Sequence, residues 1–229
     1  MVGILTVTGL EIKLPFLPDV STIYFTVVNI FSFYVLHRIL RKEGSSIKSL
    51  IGFRSELLLS DILYGFLWLF VLYIPFVAAV IGTMFLMYGT DLFNNFEVVF
   101  AGNIDTTTGG RPSWLIWLAA CTSLIFPFIN APIEELMYRG YAQTKFSCYL
   151  QQKSLAILIP SLGFALQHVM LAASVQGAIV YAVSFFVWGI SSGIIFHKQK
   201  RLLPLIICHF IVNIAFSIFP IIMLITGAY

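Results

Sequence analysis

The sequence predicts an all-α, polytopic transmembrane helical bundle of six to eight spans, and three observations carry that expectation. Of the 229 residues, 59% are hydrophobic and only 10% are charged, against about 25% charged in an ordinary soluble domain. Mean hydropathy is +0.96. The apolar residues also gather into stretches close to the roughly 20 residues a helix needs to cross a bilayer. Helices are the expected spanning form, because backbone polar groups in hydrocarbon must be satisfied within the segment. The alternating strands of a membrane barrel are absent. The net charge of +3 forms no basic stripe, which argues against nucleic acid as a partner. Residues 1–229 are expected to form a single membrane-embedded domain in contact with the lipid bilayer.

Taken in order, residues 20–40 carry no formal charge before Arg38. Residues 62–88 form a long apolar stretch with Pro75 inside it, the expected site of a kink. Residues 113–130 form a third span that runs on into 132–148. Residues 154–172, 177–196 and 203–226 complete six, the last of which could be broken at Pro220. Residues 1–18 could add an interfacial or partly inserted segment. Residues 89–111 form the most polar long connection, for which a solvated loop is the simpler reading and an interfacial lid the alternative. The three cysteines are too few and too scattered for a disulfide scaffold. Cys121 and Cys208 lie in apolar runs and read as small buried hydrophobes.

Basic residues set the orientation. Eleven of the 13 fall in connections that alternate onto one side of the predicted spans, and only Lys13 and Arg111 fall on the other. The positive-inside rule therefore places the basic loops in the cytosol. His37 and His197 flank spans beside basic residues. Gly189 and Gly193 form a small-xxx-small pattern, most simply a helix-packing face.

The informative polar residues sit where hydrocarbon is expected. An ionisable group within a membrane costs at least ~2.5 kcal/mol on insertion scales, so it usually has a partner and a task. In APIEELMYRGY (131–141), Glu135 and Arg139 are i,i+4 neighbours that can pair. Glu134 has no such partner, since Tyr138 stands four residues on. The plainer reading is that both acids mark the first turn of a cytosolic helix after Pro132. His168 lies deep in the fourth span, and His209 and Asn213 share one face of the sixth. Glu134 and His168 are each 17 positions from residue 151, in the polar stretch Gln151-Gln152-Lys153. In an antiparallel hairpin, equal distance from the turn means equal depth, about 25 Å here. His209 begins only about 12 Å along its own helix. That mismatch requires the hairpin to protrude into the cytosol or its helices to tilt.

A carboxylate, two imidazoles and an amide converging in a bundle suggest hydrolysis. The carboxylate, helped by one imidazole, can take a proton from water. The other imidazole and the amide can donate to a developing oxyanion. The same atoms offer zinc a His2Glu set plus water, with Glu134, His168 and His209 as ligands. No GxSxG nucleophile motif competes.

EELMYR (134–139), FALQH (164–168) and HFIVN (209–213) read as EExxxR, FxxxH and HxxxN. In order and spacing they resemble the CPBP family of intramembrane proteases, which embraces type II CAAX prenyl endopeptidases and bacteriocin-processing or self-immunity proteins. The resemblance covers about residues 113–216, expected to be the catalytic core. It implies a helical intramembrane endopeptidase, open to the cytosol and inner leaflet, acting near the C-terminus of a membrane-associated protein or peptide, with a prenylated one as a candidate. By motif position, Glu134 and His168 activate the water, His209 and Asn213 form the oxyanion hole, and Glu135, Arg139 and Phe164 support them. A metal-free mechanism with no cofactor is favoured, with zinc as the alternative. The expected location is the cell membrane, of a bacterium on the chain's compact length. A non-enzymatic immunity or scaffold protein of the same fold is the alternative function. A proton-coupled transporter using Glu134 is more remote, since no internal repeat is visible.

Overall fold

The computed structural model describes residues 21–100, 112–150 and 152–226. Among these there is no strand, and six helical segments are long and apolar enough to cross a membrane. The protein is a polytopic helical bundle. The proposed N-terminal segment and the part of the polar connection from 101 to 111 lie outside the described residues.

Helix α1 (Ser21–Lys42) ends on Arg41 and Lys42, cations that suit a helix C-terminus. A short α2 (Ile47–Ile51) follows. It opens on a capping box between Ser46 and Ser49 and closes on Gly52 at φ 64°, a left-handed cap open to glycine. Helix α3 (Leu58–Tyr88) runs through Pro75. A 3₁₀ turn (Gly89–Leu92) and α4 (Phe96–Phe100) then fold back on the bundle. Leu92 and Val99 are buried with Met84 and Val180, so this part of the connection is packed helix and not the solvated loop expected.

Helix α5 (Ser113–Glu135) passes directly into a π-helical stretch (Leu136–Gln143) and then α6 (Thr144–Tyr149). Helix α7 (Lys153–His168) returns. Helix α8 (Val175–Gln199) is capped by Ser174, whose Oγ accepts from Gly177 N and donates to Val99 O. It ends on Lys200 at φ 55°, a strained position for a residue with a Cβ. There the chain turns sharply into α9 (Leu203–Thr226). Helix α9 is continuous past Pro220, so of the two possibilities the unbroken helix is the one present.

Register fixes the arrangement. Thr22 meets Thr122 and Asn29 meets Asn130, so α1 and α5 run parallel. Helices α3 and α9 also run parallel, pinned by an ion pair between Asp61 and Arg201 and by Gly65, where a Cβ would fall 2.6 Å from Ile207. Helices α7 and α8 are antiparallel and close. A Cβ on Gly189 would lie 2.9 Å from Ser161 Cα, and one on Gly193 would lie 2.8 Å from Ile157 Cγ2. The small-xxx-small face is thus a packing face, as its sequence suggests.

The central core gathers Leu72, Phe164, Trp188, Ile195, Leu205 and Cys208 from four helices. Cys208 is buried as expected, whereas Cys121 is exposed, on the apolar exterior that a bilayer would cover. A second cluster joins Leu36 and Leu40 of α1 to Leu136, Leu202 and Ile206. It sets Leu136 level with the start of α9, so the hairpin beyond it extends past that helix's first turn.

Candidate active site

The π-helical stretch begins immediately after Glu134 and Glu135. Its wider turn, a feature frequent at functional sites, re-aims the residues behind the two acids. Two prolines precede it. Pro127 and Pro132 offer no N–H to the carbonyls four residues back, so α5 approaches the site with a loosened backbone ladder.

Glu135 is 1% exposed and serves two partners through one oxygen. Arg139 Nη1 donates to Oε1 at 3.1 Å, and His209 Nδ1 lies 3.0 Å from the same atom. Arg139 is itself buried. Its Nη2 donates to Ser192 Oγ at 2.5 Å, and its guanidinium sits 4.3 Å over the Phe164 ring. One acid therefore ties α5, α8 and α9 together, with a cation–π contact to α7.

Glu134 is fully buried. Gln167 Nε2 donates to its Oε1 at 2.6 Å. Its Oε2 has no hydrogen-bond partner. That atom faces His209 Nε2 at 3.7 Å and His168 Nε2 at 3.9 Å. These distances are too long for direct hydrogen bonds and short enough for one small ligand to sit between all three groups.

Both rings are oriented from behind. His168 Nδ1 is 2.8 Å from the Phe164 carbonyl. A carbonyl only accepts, so Nδ1 carries the proton and Nε2 of the neutral ring presents a lone pair. The ring lies between Phe164, at 4.2 Å, and Phe185, at 3.9 Å, with Phe25 of α1 at 6.0 Å. His209 Nδ1 donates to Glu135, so its Nε2 also faces Glu134. Asn213, one turn along α9, is buried with its Nδ2 unpartnered.

The structure thus brings Glu134, His168 and His209 together at one point, with Asn213 beside them on the same helix face as His209. Glu135, Arg139 and Phe164 form the layer behind. His37 is exposed and stacks on Phe33, and His197 faces Lys200; neither approaches the site. The sequence reading paired Glu135 with Arg139 but missed His209 as its second partner. It also passed over Gln167, Tyr138, Ser192, Asn29 and Asn130. Asn29 and Asn130 were visible as amides inside apolar spans. Gln167 stands beside His168 in the motif itself, and Ser192 lies within the packing pattern.

An unpartnered carboxylate oxygen thus faces two imidazole nitrogens inside a helical membrane protein. Residues 112–215 match the model of the family described as type II CAAX prenyl endopeptidase Rce1-like. The match covers just under half of the chain. No curated protein and no solved structure matches the chain.

Proposed function

We propose that the protein is an intramembrane endopeptidase that hydrolyses a peptide bond near the C-terminus of a membrane-associated substrate, prenylated or not, with its site open to the cytosol. The observation that carries this reading is the buried, unpartnered Oε2 of Glu134, 3.7 and 3.9 Å from two imidazole Nε2 atoms. A water molecule placed between them donates to Glu134 Oε2 and to His168 Nε2. Glu134 takes the proton as the oxygen attacks the scissile carbonyl. The oxyanion that forms is met by the Nδ2–H of Asn213 and by Nε2–H of a doubly protonated His209, whose other nitrogen rests on Glu135. Collapse breaks the C–N bond, and Glu134 returns its proton to the departing amine.

The same donors are of the types zinc takes, although among the described residues no group of three is placed to hold a metal ion. Glu134 Oε2 and the two Nε2 atoms would be the ligands, and the carbonyl of Phe164 and the carboxylate of Glu135 are the outer partners such imidazoles usually have. A bound zinc would acidify its water and polarise the carbonyl. The metal-free reading is favoured because it gives Asn213 and the second imidazole a task on the oxyanion.

Purified protein is incubated with prenylated and unprenylated CAAX peptides, with Glu134→Gln as control. The variant is expected to lose at least about 100-fold in turnover, and equal product from the two proteins ends the reading. Metal content is measured on the same active preparation. Stoichiometric zinc whose removal abolishes turnover would replace the metal-free route with the metal one. The basic loops after α1 and α8 support the cytosolic orientation.

A further inference from the structure

We infer that Gln167 and Tyr138 are positioning residues that stop the Glu134 carboxylate from turning and so select Oε2 as the reacting oxygen; this rests on the proposed hydrolysis. The final torsion of a glutamate is broad and roughly two-fold, with little intrinsic preference. Left alone, the carboxylate of Glu134 would exchange its oxygens and sweep through angles at which neither faces the imidazoles. One strong bond on Oε1 removes that freedom, and Gln167 Nε2 supplies it at 2.6 Å.

An amide has the same weakness, because the final torsion of glutamine is equally soft. Gln167 is held in turn by Tyr138, whose hydroxyl donates to Gln167 Oε1 at 2.5 Å. The acceptor oxygen is thereby fixed, and the NH₂ group is directed at Glu134. Tyr138 needs no further polar anchor, since a ring has only two side-chain torsions and packing sets both. It stands edge-on to Phe164 at 5.4 Å. It also fits over Gly163, where a Cβ would sit 3.3 Å from Tyr138 Cε1. Stiffness thus passes from a packed ring to an amide and from the amide to the carboxylate. The amide suits its place because it donates without carrying a charge that would compete with the histidines.

Tyr138 follows Glu134 by four residues across the start of the π-helical stretch, and Gln167 comes from the facing helix. The relay therefore also locks the hairpin's two arms at the depth of the site.

The test compares Gln167→Met, which keeps length and bulk without the N–H, with Tyr138→Phe, which removes one oxygen, and with the double variant. For cleavage, Gln167→Met is expected to lower kcat about 10- to 100-fold, the range for a hydrogen bond to a charged group, with KM within about twofold. Tyr138→Phe lowers kcat less and adds nothing in the Gln167→Met background, because it acts only through the amide. Wild-type kcat in either single variant, a loss confined to KM, or additive losses overturn the relay. Infrared difference spectra give a readout independent of turnover. The carboxyl band assigned to Glu134 by Glu134→Gln should broaden in both single variants, and an unchanged band overturns the proposal. Should Gln167→Met fail to fold, Tyr138→Phe decides alone by the same two measurements. An active Glu134→Gln protein defeats the hydrolysis itself, whereas an inactive one beside a fully active Gln167→Met protein defeats the relay alone.

Discussion

Replacing Arg139 with Met tests whether the layer behind the site is an electrostatic unit or mere packing. Arg139 is 2% exposed and donates to Glu135 and Ser192. Methionine keeps much of the stem's apolar contact and removes the charge. Breaking a buried ion pair by deleting one partner costs about 3–5 kcal/mol. The lower end applies here, because His209 still bonds the same Glu135 oxygen and Ser192 keeps its bond to the Trp188 carbonyl. About 3 kcal/mol corresponds to a fall in Tm of roughly 6–12 °C for a chain of this size. The assay is thermal unfolding of the purified protein in one detergent. The decisive arm is the double variant Arg139→Met/Glu135→Gln. It removes both charges and leaves an amide oxygen able to accept from His209, so it should recover at least about half of the loss, the non-additivity expected of groups in contact. A single variant as stable as the parent, or a double variant no better than the single, would falsify the idea that Glu135 is a buried charge in need of Arg139.

The helix contacts around the site give two further expectations. Gly189→Val places methyl groups against the Ser161 backbone, 2.9 Å away at Cα, and should destabilise by about 1–3 kcal/mol as overpacking does; an unchanged Tm would show that α7 and α8 part without cost. On the basic side of the bundle, Lys145 lies 2.8 Å from Glu43, and the Tyr141 hydroxyl donates to Glu43 at 2.9 Å. The hydrogen bond from Lys145, followed by that from Tyr141, holds the Glu43 carboxyl below its ordinary value of 4.5. A depressed carboxyl contributes its tether above the ordinary value and loses it as the pH falls through the lowered one. With the exposed Cys121 and Cys148 replaced by serine, a nitroxide at Ser45→Cys should therefore gain mobility on acidification below 4.5, and Glu43→Gln should be mobile already at neutral pH. Mobility independent of both would show that the tether does not hold this turn.

Much of the bundle was legible in the sequence because its solvent is hydrocarbon. In that setting Glu134, His168 and His209 stand out against apolar neighbours, and equal spacing from the 151 turn put the first two at one depth. What could not be read was anything decided by rotation about a helix axis. The π-helical stretch turns Tyr138 toward Gln167, and no residue of LMYRGYAQ announces it. The shared use of Glu135 by Arg139 and His209 depends on α9 lying antiparallel to α5, a tertiary fact. The continuity of α9 through Pro220 shows the same limit in reverse, since a proline's lost hydrogen bond need not end a helix within a membrane bundle. Residues 89–100 looked polar enough for a loop, yet Leu92 and Val99 supply enough apolar surface to dock.

The first long helix stands outside the stretch that matches the family model, yet its Phe25 flanks one imidazole and its Asn29 completes an amide pair with Asn130. A chain trimmed to 112–215 would keep all three sequence signatures and lose the α1 side chains that pack against His168 and Asn130. The letters that announce the resemblance and the residues that enclose them are therefore different sets, and the first long helix belongs only to the second.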